Sequence, residues 1–583
     1  MRPTVFLGID GMDPVVTEEL LAAGQLPNLE RLAGVGHYGP LATINPPQSP
    51  VVWSTIATGL SPAGHGIQDF IQRDPASYRP YLSLHQQEKG RYRNPVQGET
   101  FWERLAGRGE PATLLKWPLG FPPRPFSGRL LAGLGVPDVK GMLGSYGLLT
   151  TAPDRLPSDA KGRITRLSFQ NGKAQADIAG PFAASLTGRK EALLPCTVQL
   201  EDAGVTLRIG RQTFRLAPGQ WSPWLTLRFD VGFFKQVTAR CRILLRSVRP
   251  ECELYLTPMQ VDYASPEMPI STPAPYAGEL QQAIGDYATL GIAEDTAAVN
   301  DGALDDGQFI ALCDGIMAER ERMFTHELAR FDQGLLACVF DTTDRIQHIF
   351  WRMRDPAHPL HDLVLQERYG DVIGRYYSWM DRIVGELRSR RPDARLIICS
   401  DHGFTAYRRS FHLNSWLEGQ GYLVRRAGTG PDEPLAGRYD WSASRAYGVG
   451  FNGIYLNLQG REGQGIVSPA ESPPLLAELT ERLAALQDNG HPVMSRLHPG
   501  QGEGGPDLYA GYAPGYRASW QTAVGGGVDG ILCDDNRKPW SGDHCCDAAL
   551  VPGVLFAADP ADRMASVTEL AAVLSGPGAG GSR

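Results

Sequence analysis

The chain has 583 residues, 42% apolar and 21% charged, ordinary proportions for a soluble globular protein with room for several cores. A net charge of −8 at pH 7 excludes general binding of nucleic-acid polymers, which depends on a cationic surface. No apolar run approaches the ~20 residues of a transmembrane segment, and strand-like residues begin at Thr4 with no signal peptide before them, so the expected location is cytoplasmic.

Residues 1–160 alternate strand and helix signals and predict the N-terminal half of an α/β domain. Thr4 to Asp10 (TVFLGID) is too short for a helix and reads as a buried parallel strand. Helical stretches follow at Val15 to Ala23 and Leu29 to Ala33. Ser49 and Pro50 open an apolar helix that stops at Gly59. Serine at the N-cap, proline at the first helical position and glycine past the end are the expected signals. Glu99 to Gly107 and Ala112 to Lys116 form a second helix–strand stretch. The segment Trp117 to Gly147, rich in Gly and Pro, is irregular in the manner of functional loops.

Residues 161–264 differ in texture. Short alternating runs such as VTLRIG and QTFRLA predict an inserted antiparallel β-rich module of about six to eight strands. Arg163 to Arg249 holds 14 Lys plus Arg against 5 Asp plus Glu. That excess is either a solvated face or a surface for contact with an anionic partner. Residues 265–575 return to α/β, with helices expected at Asp306 to Phe331, Tyr369 to Arg390 and Ser566 to Ser575. Residues 576–583 are a Gly-rich tail expected to be disordered.

Two more apolar runs end on acids, at Asp341 and Asp401. An acid at the carboxyl end of such a strand sits where α/β sheets assemble their sites. His402 follows Asp401 directly, Asp344 and His348 are four apart and share a helical face, and Gly542-Asp543-His544 adds a further candidate. His412 and His491 compete with His544 for that role. Divalent metals take this mixture of carboxylate and imidazole. The Ser49 hydroxyl stands at the positive end of a helix, an environment that binds phosphate and favours an alkoxide. Nine cysteines without regular spacing predict no disulfide framework, and Cys545 and Cys546 read as bystanders.

Thr58-Gly59-Leu60-Ser61-Pro62-Ala63-Gly64-His65-Gly66-Ile67 resembles the T-G-x-x-P-x-x-H-G-I signature of the type I phosphodiesterase/nucleotide pyrophosphatases, in the alkaline phosphatase superfamily. That family places a Thr or Ser nucleophile ten residues before the signature glycine, and Ser49 is ten before Gly59. The resemblance implies an alkaline phosphatase-like sheet sandwiched by helices and a phosphoester hydrolase with two divalent metal ions. Zn is the usual metal, and Mn or Fe are alternatives. Asp10, Asp401 and His402 would hold one ion beside the nucleophile Ser49, and Asp344, His348 and His544 the other. Asp341 would orient a ligand, and His65 would hold the turn.

The match departs from the family where an asparagine that holds a phosphoryl oxygen is expected; the stretch here is Gln68-Asp69-Phe70. The P-T-x-L segment also becomes Val567-Thr568-Glu569-Leu570. The expected substrate is a small phosphoester. Diesters are expected over monoesters because Ile44 to Phe70 contains no Lys or Arg to meet a second negative charge. Lys116 and Lys140 are the cations that would reach in from outside, and Trp53, Phe70 and Trp117 would form an apolar rim. Phosphomonoesterase, phosphonate hydrolase or phosphotransferase chemistry on the same metals, and a non-catalytic binding relative, are the alternatives.

Overall fold

The computed structural model describes residues 2–576 except 89, 186–187, 233–234, 431–432 and 503. The expected disordered tail lies, from residue 577 on, outside the described residues. The chain divides into two compact units, one made of Met1–Thr113 and Phe331–Arg583, the other of Leu114–Arg330.

In the first unit a mixed sheet carries β1 (Thr4–Ile9), β2 (His37–Leu41), β3 (Leu335–Phe340), β4 (Arg395–Cys399) and β5 (Gly553–Ala557), in the order β2-β5-β4-β1-β3. β3 and β4 both run parallel to β1, while β5 is antiparallel to β4 and β2 antiparallel to β5. Every residue of β1 and β3 is buried, which is why these strands read as unbroken apolar runs. Register is what makes the site. Ile9 pairs with Phe340 and Gly8 with Cys399, so Asp10, Asp341 and Asp401 emerge together at one edge of the sheet.

Helices α1 (Pro14–Ala22), α2 (Pro27–Val35), α3 (Ser49–Thr58), α4 (Thr342–Phe350) and α5 (Val372–Arg390) belong to the same unit. Asp381 of α5 accepts from the N–H groups of Asn28 and Leu29 and so satisfies the start of α2. Tyr377 of α5 accepts from Asp13 N–H and donates to Gln347 of α4, whose amide in turn donates to the Gly11 carbonyl. The turn after β1 is thereby tied to both helices. A second apolar core, built around Trp416, Tyr447 and Leu479, underlies the sheet of Ala446–Gly448, Gly453–Leu456, Leu508–Tyr512 and Met494–Pro499.

The second unit contains the β-rich segment 161–264 as ten strands among the described residues, where about six to eight were expected. Two-residue strands such as Gln260–Val261 have no alternation to read. Elsewhere the alternation is plain: Leu225, Leu227 and Phe229 face inward while Arg228 and Asp230 are exposed. Among the described residues one strand of the segment departs from antiparallel pairing, Arg163–Arg166, which runs parallel to Gly147–Thr150. Among the described residues no helix is long and apolar enough to cross a membrane.

Candidate metal centre

β1 ends at Asp10, whose buried carboxylate accepts the indole N–H of Trp53 at 3.0 Å. Ser49 was expected to cap α3. Instead it is the first helical residue, and Gln48 occupies the N-cap position without a side-chain capping bond. The serine hydroxyl is therefore turned elsewhere. Its Oγ lies 3.4 Å from Asp10 Oδ1 and 3.1 Å from His402 Nε2. Asp401 Oδ2 is 3.1 Å from the same His402 nitrogen, and Asp401 Oδ1 accepts the Gly11 N–H at 3.2 Å.

α4 delivers the next pair. Asp344 Oδ2 is 3.3 Å from His348 Nε2, and Asp344 Oδ1 is 3.7 Å from His544 Nε2. The His402 and His544 rings stack with centroids 3.6 Å apart. The donor atoms converge in two groups, Asp10 with Asp401 and His402, and Asp344 with His402 and His544. His348 adjoins the second group through Asp344.

The donor set fits a metal on two counts. Asp344 Oδ1 and Asp401 Oδ2 are buried and accept no hydrogen bond among the described residues. A bare buried carboxylate oxygen is destabilising unless a cation meets it. The imidazoles are also aimed. Nδ1 of His348, His544 and His402 faces the carbonyls of Gly542 (2.7 Å), Pro47 (2.6 Å) and Gly403 (3.1 Å). A carbonyl can only accept, so each Nδ1 carries the proton and each Nε2 lone pair points into the acid cluster, the tautomer a metal requires.

The electrostatics agree. Burial pushes the Asp10 carboxyl well above its ordinary range, and the charges of Asp401 and Asp344 push the same way. For His402 burial opposes the imidazolium, but Asp401 outweighs it and the pKa rises. Burial likewise acts to raise Asp344, but His348 and Arg345 hold it far below the usual carboxylate range. His544 is kept neutral by burial and then by the neighbouring His402.

Several residues stand elsewhere than the sequence places them, or gain roles it does not announce. Trp53, expected at an apolar rim, is fully buried and bonded to Asp10; Trp117, its partner in that expectation, is also fully buried. Arg345, next to Asp344, is buried with its guanidinium against that carboxylate. Asp543, beside His544, is paired with Arg517. The sequence carries a signal for the last of these, since Asp543 lies inside the Gly542-Asp543-His544 triplet. Of the competing histidines, His412 pairs with Asp534 at 3.2 Å and His491 is exposed.

Phe70 is half-buried, with its ring 6.2 Å from that of Phe451. Asp69 makes a turn: it accepts from the N–H groups of Ile71, Phe451 and Asn452, and burial raises its pKa to about 6. Lys116 and Lys140 lie in the Leu114–Arg330 unit. There Lys116 is buried and donates to the Ala288 carbonyl at 2.6 Å, and Lys140 pairs with Glu191 at 2.6 Å.

The sequence model of the type I phosphodiesterase / nucleotide pyrophosphatase family matches residues 4–173 and 271–512. That range holds every candidate site residue except His544. No curated protein matches the chain in sequence. Solved structures of similar fold include phosphonoacetate hydrolase from Sinorhizobium meliloti 1021 in complex with phosphonoformate. It shows 12% identity, covers 98% of this chain and 95% of that one, and has a TM-score of 0.46. Human ectonucleotide pyrophosphatase / phosphodiesterase 5 gives 11% identity over 98% and 94% of the two chains, with a TM-score of 0.39.

Proposed function

The chain belongs to the type I phosphodiesterase / nucleotide pyrophosphatase family and is a metal-dependent hydrolase of phosphoric ester bonds; from that premise we propose that it cleaves small phosphodiesters through a phosphoseryl intermediate on Ser49. The observation that carries this reading is the placement of the Ser49 hydroxyl, 3.1 Å from His402 Nε2 and 3.4 Å from Asp10 Oδ1, on the first turn of α3.

Two divalent cations, Zn by the chemistry of the donors, would be held by Asp10, Asp401 and His402 and by Asp344, His348 and His544. When bound they supply positive charge to the buried carboxylates and to the phosphoryl oxygens. Ser49 Oγ forms the new bond to phosphorus as the bond to the leaving oxygen breaks, the hydroxyl proton going to the departing oxygen, and the positive end of α3 stabilises the anion that develops. Water then cleaves the seryl ester and frees the hydroxyl. Trp53 holds the second Asp10 oxygen and so fixes the carboxylate that faces the nucleophile.

The preference for diesters rests on charge. Lys116 and Lys140 are each engaged within their own unit, and Arg345 is against Asp344. A monoanionic diester needs less positive charge than a dianionic monoester. Acid quench of enzyme turning over a p-nitrophenyl diester, followed by peptide mapping, should find on Ser49 a phosphoryl group that still carries the diester's remaining substituent. Ser49→Ala should retain bound metal and lose at least ~100-fold in kcat. Undiminished turnover in that variant would sink the phosphoseryl route, and a kcat/KM higher for the matched monoester would sink the diester preference.

A further inference from the structure

The strand Thr405–Phe411, which starts three residues after His402, has a neighbour on each side. Gly542–Asp543 pairs with it antiparallel, Thr405 opposite Asp543. Gly515–Ala518 pairs with it parallel, Ser410 opposite Arg517. The strand therefore brings together an acid next to one candidate ligand and a cation from a distant stretch of chain.

Asp543 is buried and its carboxylate is fully subscribed. Oδ1 accepts the backbone N–H groups of His544 and Cys545, both at 2.8 Å. Oδ2 accepts Arg517 Nη1 at 2.6 Å and the indole N–H of Trp540 at 2.7 Å. Through the first pair it fixes the backbone that carries His544. Through Trp540, whose ring stacks on His348 with centroids 3.6 Å apart, it also bears on the second histidine. Arg517 is 1% exposed, and its guanidinium lies over the rings of Tyr407, Phe451 and Trp520 at 4.3, 4.8 and 4.1 Å. Among the described residues Asp543 is the carboxylate it pairs with.

We propose that the Arg517–Asp543 pair is a positioning device for one half of the metal centre, holding His544 and, through Trp540, His348 on a common ion with Asp344. Neither residue touches that ion. The proposal rests on the assignment of Asp344, His348 and His544 as ligands. It gives a buried ion pair, otherwise weak evidence for stability, a task of geometry. Partners that orient metal-bound histidines change affinity by ~10–100-fold when removed. Among the described residues neither Arg517 nor Asp543 bonds to Asp10, Asp401 or His402, and that half-site, which the pair reaches only through the stack of His402 on His544, is the less affected reference.

The test is Zn²⁺ titration of the purified full chain against a chromophoric chelator, for wild type, Arg517→Met, Asp543→Asn and Trp540→Phe. The wild type should bind two ions. Each variant should lose ~10–100-fold in one step and change the other by less, with Trp540→Phe the mildest because it leaves the ion pair intact. A purely structural role would weaken both steps equally or neither. If Arg517→Met does not fold, Trp540→Phe and Asp543→Asn decide the matter. Two wild-type steps retained in the folded variants overturn the positioning role alone. A wild type that binds no Zn²⁺ overturns the ligand assignment with it.

Discussion

At the scale of single residues, the signature histidine has a definite protonation state. The Ile67 N–H donates to His65 Nδ1 at 3.2 Å, so that nitrogen holds a lone pair, and Nε2, 3.0 Å from Thr55 Oγ1, carries the proton. His65 thus ties the turn after α3 to the helix that bears Ser49, and burial lowers its pKa from 6.5 to about 4. An imidazole kept neutral in the fold penalises folding once the unfolded chain takes up the proton. Above pH 6.5 there is no effect; below it stability falls, by about 3 kcal/mol near pH 4. His65→Gln keeps an acceptor and a donor in place without a titrating group. Urea unfolding of both proteins from pH 7.5 to 4.5 should show wild type losing stability relative to the variant as pH falls. Reading the difference cancels the other carboxyls that titrate in that range, Asp69 among them. A difference independent of pH would mean that folding leaves the His65 pKa at its unfolded value, and wild type gaining stability as pH falls would mean that His65 is protonated in the fold.

At the scale of elements, the site depends on how closely α3 approaches β1. A Cβ on Gly8 would stand 2.3 Å from Trp53 Cη2 and 3.1 Å from Val339 Cγ2, so the bare glycine backbone is what admits the indole that reaches Asp10. Gly8→Ala should push Trp53 and the start of α3 outward. We expect ~1–3 kcal/mol of destabilisation and, because a displacement of about 1 Å at a nucleophile is severe, a fall in kcat/KM of about a hundredfold. Gly39→Ala on β2, where the nearest atom is 3.6 Å away, is the control and should leave both unchanged. Equal kinetics for the two variants would remove Trp53 from the account. The same pair of elements marks what could be read from the sequence. Apolar runs ending on Asp10, Asp341 and Asp401 announce buried parallel strands because burial on both faces removes alternation. The approach of Trp53 to Gly8 was not legible, because side-chain contacts between elements follow from register, which no single run encodes. The cap was misassigned for a related reason: Ser49 suits capping locally, but its hydroxyl has tertiary partners that outweigh the local bond. Arg517 is illegible for the same reason, since a lone arginine after the tyrosine-rich stretch Tyr509 to Tyr516 gives no sign of the acid it meets across a strand.

At the scale of the whole molecule, three carboxylates, those of Asp10, Asp344 and Asp401, are at most 1% exposed and face one another. A fold that gathers such charges is under electrostatic strain until cations compensate, and ions that bind the native chain alone stabilise it in proportion to RT ln(1 + [L]/Kd), ~2.7 kcal/mol per site at a hundredfold excess over Kd. Chelation should therefore lower Tm, and Zn²⁺ should restore it. The pH dependence of that gap has a sign. The pKa of Asp10 is raised in the metal-free fold above its unfolded value, so the ionised carboxyl is destabilising at pH above the raised pKa, and the strain is relieved as pH falls through it and a proton takes the place of the cation. Asp344, held low by His348 and Arg345 against the effect of burial, stays ionised across the same window and adds no slope. The gap between loaded and chelated protein should accordingly be widest at neutral pH and above and should close toward acid, where protons also compete for the imidazole ligands. Paired calorimetric scans with and without chelator at pH 5.5 and 7.5 measure it. An absent gap at pH 7.5, or one that widens at pH 5.5, would show that Asp10 is not the group whose charge the metals relieve.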